Sequence, residues 1–174
     1  MKRYQELLEE YLKEKGYEYR ELDYDDAERM RASYLDTCSD DRSLCAEVIE
    51  VTFKGDNYKA LPIRFSFYKD SDGCAYVTLL CQEVAEIPQV KALQGAVATS
   101  AMNMMSTWIR YFEISDDYGD FETKDTISVW AGFESYITEE SVGEVCLRLG
   151  ERMASTIDRN YFMLQEVLNE PLEM

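Results

Sequence analysis

Histidine is absent from the 174-residue chain, which removes the commonest general base and the commonest transition-metal ligand together. Cysteine occurs five times, at Cys38, Cys45, Cys74, Cys81 and Cys146, but never as a Cys-x-x-Cys pair. The odd count and the missing pair fit free thiols in a reducing cytoplasm better than a disulfide framework. No run approaches the roughly 18 to 20 apolar residues that span a bilayer. The opening MKRYQELLEEYLKEKG is charged throughout and has no apolar core of a secretory signal. Positive charge is scarce as well: 18 Lys and Arg stand against 35 Asp and Glu, a formal net charge of −17. A field of that sign repels phosphates and anionic lipid, so no nucleic-acid or membrane partner is expected, and a partner chosen by charge is a basic one.

The signatures of catalysis are missing too. Without histidine, a nucleophilic Ser or Cys needs a lysine or carboxylate base, yet there is no Ser-x-x-Lys and no nucleophile elbow. LQGAVATSA (93–101) has one glycine and forms neither a phosphate loop nor a dinucleotide fingerprint. The acidic stretch YFEISDDYGDFETKD (111–125) fails as a calcium loop in every register. Starting at Asp116, Tyr118 takes position 3 and Phe121 position 6; starting at Asp117, Gly119 takes position 3. In DSDG (70–73), Cys74 falls where a third oxygen ligand belongs. Both read as hairpin turns. No catalytic, cofactor-binding or metal-binding residue is assigned, and no cofactor is expected.

What remains is a chain that can build a core: 46 % of residues are apolar and 13 % aromatic, enough for one domain over 1–174. Tyr4, Leu7, Leu8, Tyr11 and Leu12 mark an amphipathic helix in residues 1–16, ended by Gly16. Residues 17–43 form a variable acidic segment with DYDDAE (23–28) and no clear element. Residues 44–174 hold the core. AEVIEVTF (46–53), LPIRFSFYK (61–69) and CAYVTLLC (74–81) alternate as three antiparallel strands joined by short turns. Pro88 suits a helix start, and Val90, Leu93, Val97, Ala101, Met104 and Trp108 then form one helical stripe. The methionines of AMNMMSTW (101–108) read as core packing rather than a binding patch. A strand pair follows, and Thr138 is placed as N-cap of a long final helix. The expected fold is α+β: a five-stranded antiparallel sheet with helices on one face, in the order α-β-β-β-α-β-β-α.

If the Leu61–Phe67 strand turns its odd positions to the core, the other sheet face carries Tyr58, Tyr68, Tyr76, Leu80 and Trp130. Left uncovered, those residues form a partner or dimer surface. Covered by residues 17–43, they form an ordinary secondary core.

From about Ala46 to Leu168 the chain resembles the YbjN-like family of small bacterial proteins. The resemblance rests on the strand end EVAEIPQVKAL, on the Asn103-bearing SAMNMMSTWIRYFEISDDYGDFETKDTISV, and on the closing ITEESVGEVCLRLGERMASTIDRNYFMLQEVL; KEKGYEYRE (13–21) is also similar. It implies an α+β domain related to type III secretion chaperones, often dimeric, without established catalytic residues, in a family described as proposed regulators of sensory transduction. It also implies a capping or helix-packing role for Asn103. The expectation is a cytoplasmic, non-enzymatic protein–protein interaction module, chaperone-like or regulatory, working as a homodimer. A carboxylate-based, Mg-dependent enzyme and a small-molecule sensor domain are the alternatives.

Overall fold

The computed structural model describes residues 2–22, 48–58, 60–69, 72–106, 108–114 and 126–169, with the backbone alone at 112–114. They form an α+β fold with a six-stranded antiparallel sheet and three α-helices. The elements are α1 (Lys2–Lys15), β1 (Tyr19–Leu22), β2 (Val48–Phe53), β3 (Leu61–Lys69), β4 (Ala75–Pro88), α2 (Ala92–Met105), β5 (Arg110–Ile114), β6 (Thr126–Tyr136) and α3 (Val142–Asn169). The strand order is β1-β2-β3-β4-β6-β5.

The sixth strand corrects the expected five. Tyr19–Leu22 pairs antiparallel with β2, Tyr19 opposite Val51 and Leu22 opposite Val48. It was illegible because it has four residues and lies at the sheet edge, with neither face fully buried. Such a strand shows no apolar/polar alternation and owes its existence to its neighbour's hydrogen bonds. Two boundaries also move. Pro88 ends β4 instead of opening a helix; a 3₁₀ turn (Gln89–Lys91) intervenes before α2. The last helix starts at Val142, after a turn closed by the Val142 N–H on the Thr138 carbonyl at 3.0 Å. Thr138 keeps a capping role in that turn: besides accepting the Val142 N–H, it donates its own N–H to the Ser141 hydroxyl at 3.1 Å, the return bond of a capping box.

The chain groups into two compact units: 1–52, 63–79 and 134–151 in one, 53–62, 80–133 and 152–174 in the other. In the first, the odd positions Ile63, Phe65, Phe67, Val77 and Leu79 are buried, as are Leu8 and Leu12 of α1. Tyr4 of α1 stacks near Phe67, with ring centroids 6.4 Å apart. The α1 stop is a Schellman motif: Gly16 at φ 75° lets the Tyr17 N–H reach the Leu12 carbonyl at 2.9 Å, beside Gly16 N–H on Lys13 O at 3.2 Å. Where α3 begins, Gly143 lies against the Tyr11 ring so closely that any side chain there would overlap it.

In the second unit, α3 is tied to the β2–β3 turn by Asp158. Its carboxylate accepts backbone N–H bonds from Asp56, Asn57 and Tyr58 at 3.2, 2.8 and 3.2 Å, and its carbonyl accepts one from the Asn57 amide at 3.0 Å. The β5–β6 pairing is antiparallel, from Arg110 opposite Gly132 to Ile114 opposite Ser128. The acidic turn that should join these strands, at 115–125, lies outside the described residues. No helix of the described residues is long and apolar enough to cross a membrane.

Candidate interaction surfaces

The five candidate residues part company in the structure. Tyr68 ends β3 and Tyr76 opens β4, and their rings stack at 5.2 Å between centroids with planes 7° apart. Tyr136, at the end of β6, continues the row at 4.1 Å from Tyr76, tilted by 37°. Because β3, β4 and β6 are consecutive neighbours, the three rings form a cross-strand ladder, of opposite parity to the buried Phe67 and Val77. Tyr68 and Tyr76 are half-buried, and Tyr136 is 65 % exposed. All three belong to the first unit. The sequence reading missed Tyr136; its even parity with Trp130 along β6 was the available signal. On the same sheet face of this unit, Arg20 and Arg64 both bind Glu50, each at 2.9 Å, across β1, β2 and β3.

Tyr58, Leu80 and Trp130 lie in the second unit. Tyr58 is not on the open sheet face but in the turn before β3. Its hydroxyl donates to the Val84 carbonyl at 2.6 Å, and its ring sits 4.3 Å from that of Tyr161 on α3. Burial pushes its phenol well above the usual range. Leu80 is 1 % exposed and is core. Trp130 is half-buried in β6, opposite Phe112. Of the five positions, then, only Tyr68 and Tyr76 are brought together.

A second surface lies on α2, part of whose methionine cluster was expected in the core. The α2 stripe faces outward: Val90, Leu93, Val97 and Met104 are 70, 76, 64 and 86 % exposed, with Met105 at 61 %. The buried side is Gly95, Ala98, Thr99 and Met102. Two polar anchors explain the choice. Lys91, just before α2, is buried and donates to the Val167 and Leu168 carbonyls at 2.8 and 2.9 Å, placing a cation at the negative end of α3. Asn103, in the last turn of α2, receives the Tyr111 N–H at 2.6 Å and donates to the Tyr111 carbonyl at 3.0 Å. Its side-chain amide thereby acts as a neighbouring strand for the edge strand β5. With both ends fixed, the face carrying small residues lies inward and the bulkier one is left in water. Met102 packs as core, whereas Met104 and Met105 do not.

Cys81 and Cys146 are buried thiols, and burial raises the Cys146 pKa so that it stays protonated. Burial pushes the Tyr111 phenol up to about 12, while a hydrogen bond from Asn160 at 3.3 Å pulls the other way. Among the described residues no group of three or more Cys, Asp or Glu side chains could hold a metal ion.

No protein-family model and no curated protein matches the chain. Among solved structures, it is similar to that of YbjN from E. coli, a proposed transcription regulator: 11 % identity, 77 % of this chain and 88 % of that chain covered, TM-score 0.38.

Proposed function

We propose that this chain is a single-domain, non-enzymatic protein–protein interaction module, chaperone-like or regulatory, and that it works as a homodimer joined through α2. The observation that carries this reading is the outward apolar face of Val90, Leu93, Val97, Met104 and Met105. The 14 residues of α2, ALQGAVATSAMNMM, include no charged side chain. Two copies that each carry −17 repel one another over most surfaces, so self-association favours a face free of like charge. Those five side chains expose on the order of 500 Å² of apolar surface. Pairing two such faces buries roughly 1,000 Å², about the least that a specific interface needs. Leu93 and Val97, one helical turn apart, make the natural centre of that contact.

Multi-angle light scattering on the purified chain tests the homodimer. The expected result is twice the chain mass, falling to the monomer mass in Leu93→Asp/Val97→Asp while the circular dichroism spectrum is unchanged. Because dimer population rises with protomer concentration by mass action, a wild-type chain that stays monomeric at about 100 µM would remove it.

A further inference from the structure

We infer that Met104 and Met105 are an oxidation site that governs pairing through α2: a peroxide turns their thioethers into sulfoxides, and the two copies then separate. The inference rests on the homodimer reading above and adds its regulation. Among the described methionines, Met102 and Met153 are fully buried and Met163 is half-buried, whereas Met104 and Met105 are 86 and 61 % exposed. An oxidant must reach the sulfur, so this neighbouring pair reacts first among them. Position gives the reaction its consequence. The pair closes α2 seven and eight residues beyond Val97, two turns along on the side that carries Leu93. No side chain of α2 is charged, and its exposed polar residues, Gln94 and Ser100, lie at the flanks, roughly 60° to either side of Val97.

The step balances with hydrogen peroxide alone. A sulfur lone pair attacks one peroxide oxygen, the O–O bond breaks as the S–O bond forms, and the second oxygen leaves as water with both hydrogens. Sulfur loses two electrons and the peroxide gains them. The flexible apolar side chain becomes a polar one with a strong acceptor oxygen. Pressing that oxygen against the same apolar face of a second copy strips its water and supplies no donor in return. In the separated protomer both side chains lie in water, so the sulfoxides disfavour only the paired state. An interface near the smallest that is specific opens readily. The oxidant acts on the open form, and oxidation runs faster as the protein is diluted.

The test treats the full chain with hydrogen peroxide and then with dithiothreitol, which reverses disulfides and sulfenic acids but leaves methionine sulfoxide. Peptide mass mapping and sedimentation equilibrium follow. The expected result is an added oxygen on Met104 and on Met105 ahead of Met102 and Met153, with the dimer dissociation constant raised about tenfold. Met104→Leu/Met105→Leu keeps volume and apolar character without the sulfur, so it should stay dimeric after the same treatment. Both positions are exposed, so that variant should fold, with circular dichroism as the control. Treating the oxidised wild type with both methionine sulfoxide reductases, one for each sulfoxide epimer, should restore the dimer. A dimer that persists with both sulfoxides in place overturns the inference and leaves the homodimer standing. So does a treated Met104→Leu/Met105→Leu chain that dissociates as the wild type does, since the lesion then lies elsewhere. An untreated wild type that is already monomeric ends the homodimer and the switch with it.

Discussion

Asp158 shows how one carboxylate can organise a loop. It is 8 % exposed and takes three backbone N–H groups of the β2–β3 turn. Desolvation alone would raise its pKa, but the three donors outweigh it and hold the carboxyl below the ordinary range. A depressed folded-state pKa means stability that is complete above the unfolded value of about 3.9 and is lost as the pH falls through the folded one. Asp158→Ala should therefore cost on the order of 2 kcal/mol near neutral pH, and less as the pH drops below about 4, measured by urea denaturation at each pH. Gly55 belongs to the same device, because a Cβ there would overlap the Asp158 carboxylate. Tyr111 predicts the opposite limb. Its neutral phenol is buried and its pKa is pushed up to about 12. Stability is thus complete below the unfolded value of about 10 and declines as the pH rises toward 12. Tyr111→Phe should flatten part of that decline in alkaline melts.

At the scale of the element, α2 decides most. Its helical character is legible from residues 90–108, but its orientation is not. Both of its faces are uncharged, and the periodicity marks the bulkier one, which the fold leaves outside. The inward face follows from Asn103 on β5 and Lys91 on α3, and both partners are distant in sequence or invisible to periodicity. Asn103→Ala should leave the Tyr111 N–H and carbonyl unpaired at the sheet edge. The expected result is a loss of about 2 kcal/mol by denaturation and greater aggregation on heating, because an open edge strand templates pairing; Asn103→Gln repairing either effect is not expected, since the longer side chain misplaces the amide. By contrast α1, with its Leu8/Leu12 stripe and glycine stop, and β3, alternating cleanly from Leu61 to Phe67, are plain in the sequence. Each has one buried and one solvated face, which is the condition under which periodicity reports orientation.

For the whole molecule the governing quantity is a net charge of −17. If two copies pair through α2, raising the salt from about 20 to 200 mM should tighten the dimer by screening the repulsion of the remaining surfaces. Sedimentation equilibrium over that salt series checks it. The sequence by itself determined the α+β class, the three helices and five of the six strands of the described residues, and the lack of a histidine-based site, because local periodicity and composition carry that information. Tertiary structure alone decided that Tyr19–Leu22 is a strand, that Tyr58 and Leu80 turn inward, that Tyr136 joins Tyr68 and Tyr76, and which side of α2 meets water. Each of these depends on a partner brought close only by folding, and on hydrogen bonds whose other half lies elsewhere in the chain.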